Sequence, residues 1–324
     1  MKAFVTGATG FIGSHLVERL RSEGAGVKAL VLPTSESAFL SSLGAEIVVG
    51  DLLDPKSVRT AADGCDVAFH LGAALLRKTS ERKMFHAVNV LGTHHVMQAA
   101  VEAGVGRLVH CSTGGVHGPS WSIIDEDSPL RPDNPYRATR LDAERVVADH
   151  YRKHGLPVVV ARLSEVYGPR DQSRVQLFRE AAHGRINLPG GGGQTIHLSY
   201  VDDVVEGLVR CARAGGAVGR TYLIGTDRPP SLWEFIKAIA DEAGATNRRR
   251  PWMDPPLKAL TAFSDAFTRP LGTRPAALRK LEFFTRPRRY DVSRAMRELG
   301  LPPGVPLREG VRQTLAWCRS QGFV

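Results

Sequence analysis

A chain of 324 residues, 43% hydrophobic and 23% charged, is long enough for one large domain with a satellite or for two domains sharing an interface, and its composition excludes disordered and low-complexity classes. The formal charge of +10 raises nucleic acid or an anionic surface as partners. Much of the arginine lies late, in Arg248-Arg249-Arg250 and Arg286-Pro287-Arg288-Arg289, without a stacking platform or nucleic-acid motif, so a solvated basic face and no nucleic acid are expected.

Lys2-Ala3-Phe4-Val5-Thr6 has the β-branched and aromatic content of a buried parallel strand, and Ser14 to Leu20 repeats apolar residues at helical spacing. Between them stands Gly7-Ala8-Thr9-Gly10-Phe11-Ile12-Gly13. One glycine permits the tight turn, the next lets the backbone approach a pyrophosphate, and the last lets helix and strand pack closely. Free N–H groups and the positive helix end then face the phosphates. Gly7, Gly10, Phe11, Ile12 and Gly13 are therefore assigned to a dinucleotide cofactor.

Strand-like runs at 27–32, 46–49, 67–71, 107–111 and 158–162 alternate with helical segments. This alternation predicts right-handed crossovers and a parallel sheet with helices on both faces, an α/β, Rossmann-type doubly wound fold. At the end of the second strand, Val31-Leu32-Pro33-Thr34-Ser35 offers neither a carboxylate for ribose hydroxyls nor an arginine for a 2′-phosphate, which leaves NAD or NADP open. His86, His94 and His95 lie on one predicted helix without ligand spacing, so no metal site is read. The cysteines, Cys65, Cys111, Cys211 and Cys318, are scattered without disulfide or metal spacing, which suits a reducing compartment. No apolar run reaches membrane-spanning length, and residue 2 already opens a core strand, so no secretory signal is read and a cytoplasmic location is expected.

From about Gly168 the periodicity loosens, and Gly190-Gly191-Gly192-Gly193 reads as a flexible turn because no helix start follows it. The chain returns to the main domain around Tyr200-Val201-Asp202-Asp203 and adds a strand near Thr221–Ile224. Residues 1–165 are expected to form the dinucleotide-binding domain, rejoined at about 196–226. Residues 166–324, mostly 166–195 and 227–324, form a smaller C-terminal substrate-binding cap. Within it Leu257, Leu260, Phe263 and Phe267 mark one helix face; such a stripe suits an apolar pocket or peripheral membrane contact, though packing on its own domain is commoner.

Cys111-Ser112-Thr113-Gly114-Gly115-Val116-His117-Gly118 and Tyr136-Arg137-Ala138-Thr139-Arg140 add chemistry to the binding site. Together with Asp51-Leu52, His70-Leu71-Gly72-Ala73-Ala74, Asn89-Val90-Leu91-Gly92-Thr93, Tyr167-Gly168-Pro169 and Tyr200-Val201-Asp202-Asp203, they resemble the extended short-chain dehydrogenase/reductase family, often called NAD-dependent epimerases/dehydratases. The resemblance covers almost the whole chain. It implies that Tyr136 is the acid/base exchanging a proton with a substrate hydroxyl or carbonyl while hydride passes to or from nicotinamide. A phenol of pKa about 10 needs nearby positive charge for that task. By the same resemblance Thr113 polarises the substrate oxygen, with Ser112 as second choice, and Asp51, Leu52, Leu71, Gly72, Ala73 and Asn89 join the cofactor site. A homodimer through two helices of the main domain is also implied.

The chain departs from the family pattern in several places. Arg140 stands where the family has lysine. It keeps the charge one helical turn after Tyr136, suited to orienting ribose and phenol, but cannot release a proton. Gly114-Gly115 replace the acidic pair of sugar-nucleotide dehydratases, which removes the acid and base for elimination. Glu165 and Ile196 replace an asparagine and an arginine expected to touch a substrate diphosphate. His117, in place of a tyrosine, is a substrate candidate with Glu165, and an ordinary structural role is equally open to it. The C-terminal run Arg288 to Ala295 with 298–300 and 310–317 is similar to members that include 3β-hydroxysteroid dehydrogenase-like reductases. The expected function is an NAD(P)-dependent oxidoreductase acting at a secondary alcohol or ketone. The alternatives are a nucleotide-sugar epimerase and an NAD(P)-binding sensor with impaired catalysis.

Overall fold

The structure is a computed structural model and describes residues 1–74, 82–253, 255–256, 259 and 288–324. In the first half, strands and helices alternate as β1 (Lys2–Thr6), α1 (Phe11–Ser22), β2 (Gly26–Val31), α2 (Ala38–Ser42), β3 (Glu46–Val49), α3 (Pro55–Ala62) and β4 (Val67–His70). There follow α4 (Arg82–His86), a π-helical turn (Ala87–Leu91) that runs into α5 (Gly92–Glu102), β5 (Arg107–Thr113), α6 (Pro135–His154) and β6 (Val158–Leu163). Two helix starts are locally specified: Asp54 caps α3 and Asn134 caps α6, each followed by proline at the first helical position.

The second half holds β7 (Glu165–Tyr167), α7 (Val175–Ala182), β8 (Asn187–Pro189), β9 (Leu198–Tyr200), α8 (Val201–Arg213), β10 (Thr221–Ile224), α9 (Leu232–Ala243), β11 (Arg248–Arg250), α10 (Ser293–Leu299) and α11 (Leu307–Ser320). Seven strands make one parallel sheet in the order β10-β6-β5-β4-β1-β2-β3. The order reverses beside β1, which opens a crevice at the strands' C-terminal ends. Alternate residues feed opposite faces: Val5 and Val109 pack in the core of α1 and α8, while Phe4 and Leu108 pack in that of α3, α5 and α6.

Short pairs β7–β9 and β8–β11 were not read from sequence. Each strand has only three residues, too few for a periodic signal. The four-glycine stretch departs from the flexible turn expected of it. Gly190, Gly191 and Gly192 all have positive φ, and a Cβ on Gly192 would stand 2.2 Å from Leu188 Cδ2. The Gly192 carbonyl accepts from Trp233 N–H at 2.9 Å, so packing fixes this turn against the start of α9. The stripe at Leu257, Leu260, Phe263 and Phe267 lies outside the described residues. Among the described residues no helix is long and apolar enough to cross a membrane.

Asp203, in the first turn of α8, accepts from Val305 N–H at 2.9 Å through Oδ1, and its buried Oδ2 has no partner among the described residues. Burial, then the Asp202 and Asp227 charges, push its carboxyl up to about 6. The native state therefore holds a proton that the unfolded chain has released between pH 3.8 and about 6, so this group lowers stability as pH rises through that window. The Asp203→Asn protein should lack that loss, as read by urea denaturation midpoints at pH 4, 5, 6 and 7.

Candidate active site

At the β1–α1 junction Gly10 is extended and no side chain caps α1, so the first-turn N–H groups are left for an anion. Gly7 has φ +67°, and a Cβ there would meet Gly72 N at 2.8 Å. On Gly13 a Cβ would stand 2.1 Å from the Gly7 carbonyl oxygen. Strand, turn and helix are thus packed too closely for side chains, a cradle that fits a pyrophosphate. Gly13→Ala is expected to weaken NAD binding about 10- to 100-fold, the cost of such overpacking, in a calorimetric titration.

The far wall of the cradle is held by Thr6, whose Oγ1 accepts from Gly72 N–H at 3.0 Å and hydrogen-bonds His70 Nδ1 at 2.7 Å. This brings Leu71, Gly72 and Ala73 beside the glycine turn. Leu52 closes over Gly72, while Asp51 Oδ1 accepts from Leu53 N–H at 2.9 Å. Asn89 is fully buried; it accepts from Ala74 N–H at 2.8 Å and donates to Thr139 Oγ1 at 3.0 Å. It braces the end of β4 against α6 and keeps no side-chain group turned to the crevice.

At the C-terminal end of the sheet, Thr113 closes β5 and Tyr136 lies in the first turn of α6, both partly exposed. Thr113 Oγ1 accepts from Gly115 N–H at 3.1 Å, which sets the turn at 114–117. Arg140, one turn after Tyr136, is 2% exposed and donates through Nη2 to the Cys111 carbonyl; its Nε and Nη1 have no partner among the described residues. Burial and then the Arg140 charge hold His70 down at about 3, and burial, then the Arg140 and His70 charges, hold the fully buried His110 well below the usual imidazole value. All four cysteines are buried thiols.

Ser112 and His117 are buried and turn away from Thr113 and Tyr136. Ser112 donates to Glu144, which takes Arg162 at 2.8 Å, and Arg162 Nη1 lies 3.1 Å from His117 Nε2. With Nε2 accepting from that guanidinium, the Nδ1–H donates to the Ser128 carbonyl at 3.0 Å. His117 is 4% exposed, and both ring nitrogens are spent, so the substrate contact expected of it has no free nitrogen behind it.

Glu165 does face the crevice region, at the centre of a charge cluster. Its carboxylate pairs with Arg174 at 3.1 Å and with Arg288. Burial alone would raise its pKa, but Arg288, Arg174 and Arg137 together hold it below the usual value. The neighbouring glycines are covered from elsewhere in the chain. A Cβ on Gly114 would lie 2.7–3.0 Å from the ring tip of Tyr290, and one on Gly115 would lie 2.6 Å from Arg137 Nε. Tyr290 is itself fixed by its N–H donating to His197 Nδ1 at 3.0 Å. Sequence reasoning missed Arg137, Arg174 and Tyr290 as site residues. The signal available was the paired glycines after Thr113, which imply bulk arriving from another segment.

A parallel sheet whose crevice joins a bare helix N-terminus to a strand-end threonine and a tyrosine on the next helix defines a nucleotide-cofactor enzyme of the Rossmann type. The family model described as the NAD dependent epimerase/dehydratase family matches residues 3–225. The chain belongs to that family of enzymes, and with it to the extended short-chain dehydrogenases/reductases. It is 32% identical to a UDP-glucose 4-epimerase of Mycolicibacterium smegmatis, covering 99% of each chain. It is 31% identical to a 2-alkyl-3-oxoalkanoate reductase of Stenotrophomonas maltophilia over 98% of this chain and 99% of the relative. Among solved structures it is similar to MoeE5 in complex with UDP-glucose and NAD, with a TM-score of 0.75, 27% identity and 99% coverage of each chain.

Proposed function

We propose that this protein is an NAD-linked oxidoreductase that interconverts a secondary alcohol and a ketone. The observation that carries the reading is the covered Gly114-Gly115 pair with Glu165 beside it: no carboxylate pair stands at the strand end for elimination, and Arg174 and Arg288, which a diphosphate would need, are already paired with Glu165. The similarity to a 2-alkyl-3-oxoalkanoate reductase supports it. Gly7, Gly10, Phe11, Ile12 and Gly13 hold the pyrophosphate of NAD, with Asp51 and Leu52 at the adenine side and Leu71 to Ala73 along the cradle. NAD accepts or supplies hydride when bound.

Tyr136 exchanges the proton with the substrate oxygen, and Thr113 polarises that oxygen by donating its hydroxyl hydrogen while continuing to accept from Gly115. Arg140, buried one turn after Tyr136, supplies fixed positive charge beneath them. A homodimer belongs to the same reading.

A second reading, nucleotide-sugar epimerisation, is favoured by the UDP-glucose 4-epimerase relative. The two part on cofactor balance. An oxidoreductase converts added NAD to NADH in step with alcohol oxidised, whereas an epimerase returns the hydride and leaves NAD unchanged. UDP-glucose converted to its 4-epimer without net NADH would overturn the first reading.

A further inference from the structure

Arg137 brings an unspent guanidinium edge to the reaction centre. It follows Tyr136 in the first turn of α6, where Asn134 Oδ1 accepts from its backbone N–H at 2.9 Å. Its side chain crosses Gly115, with Nε 2.6 Å and Cζ 3.3 Å from where a Cβ would stand. Asp133 takes Nη1 at 2.6 Å and anchors that end. Nε and Nη2 hydrogen-bond nothing among the described residues, and these are the two nitrogens whose N–H bonds run parallel and match the two oxygens of a carboxylate. Beside them the Tyr290 hydroxyl, 3.0 Å from the Cβ position of Gly114, likewise has no partner among the described residues. A guanidinium edge and a phenol thus fill the space that two successive glycines leave after Thr113.

We propose that Arg137, with Tyr290 next to it, receives a carboxylate carried by the substrate, and that the substrates are 3-hydroxy and 3-oxo carboxylates. This rests on the oxidoreductase reading. The reacting oxygen lies between Tyr136 and Thr113, and Arg137 is one residue beyond the first and overlies the second residue after the other. The anion must therefore sit close to the reacting carbon without being bonded to it. In a 3-oxo carboxylate the two carbons are separated by two bonds, about 2.5 Å. In the oxidation direction the C3–H bond breaks as hydride leaves to NAD, the hydroxyl proton passes to Tyr136, and C3 becomes a carbonyl. One alcohol is oxidised, one NAD is reduced and one proton is released.

The test supplies the full-length protein with NAD and, separately, 3-hydroxydecanoate, its methyl ester and 2-nonanol, following NADH. The acid should be preferred over ester and alcohol in kcat/KM by about 10- to 100-fold, the span of a lost charge-assisted hydrogen bond. Arg137→Gln should collapse that ratio by raising KM for the acid, and Arg137→Lys should restore part of it; NAD affinity measured on each variant shows the fold intact. Equal rates for acid and ester, or a ratio unmoved in Arg137→Gln, would overturn the carboxylate site while leaving the oxidoreductase reading standing. No NADH from any of the three compounds overturns both.

Discussion

Tyr136→Phe is expected to lower kcat by about 10²- to 10⁴-fold, the usual contribution of a positioned general acid or base, with NAD affinity retained. The substitution removes one oxygen from a partly exposed ring. The local backbone does not depend on it, because α6 is started by the Asn134 cap and Pro135, and the Tyr136 carbonyl still accepts from Thr139 Oγ1 at 2.8 Å. The measurement is steady-state turnover of the alcohol alongside calorimetric NAD titration. Undiminished turnover would remove Tyr136 from the chemistry. Arg140 sharpens the expectation. A guanidinium stays charged across the accessible pH range, so it can favour a phenolate but cannot pass the proton on, and the proton lost with Tyr136 has no substitute one turn away. Lysine at 140 therefore separates two cases: a rise in turnover marks a handicapped enzyme, whereas continued inactivity across alcohols and ketones marks a cofactor-binding sensor.

The sheet was legible because its central strands are buried on both faces and read as continuous apolar runs, from Ala3–Val5 to Val158–Ala161. The cradle was legible because Gly7 and Gly13 answer to local geometry: a positive φ at one, a close approach to Gly7 at the other. What lay beyond reach were contacts between segments far apart in the chain. Tyr290 reaches Gly114 across 176 positions and Arg288 reaches Glu165 across 123, and neither leaves a periodic trace. His117 shows the converse. It follows the strand end directly in the chain, yet its ring is turned inward because Arg162, on the strand paired with β5, supplies a donor that local sequence does not announce.

That inward network carries the largest stability effect expected in the protein. Arg162 and Glu144 pair at 2.8 Å with side chains only 7% and 8% exposed, and Arg162 Nε lies 3.2 Å from each Glu144 oxygen. Ser112 donates to the same carboxylate, and Arg162 Nη1 also donates to the Glu126 carbonyl at 3.2 Å. Arg162→Met leaves the Glu144 charge buried with a single hydroxyl as partner, and His117 Nε2 without its donor. Breaking a buried pair from one side costs about 3–5 kcal/mol, which urea denaturation will show as a lower midpoint with unchanged slope. Removing both charges, as Arg162→Met with Glu144→Leu, should recover most of that loss, since no uncompensated ion remains. The pair joins β6 to α6, and Ser112 joins both to β5, so it sets how Thr113 and Tyr136 face each other. The single variant should accordingly lose turnover as well as stability. If instead the double variant is as unstable as the single one, burial of an unpaired charge is not what the network prevents.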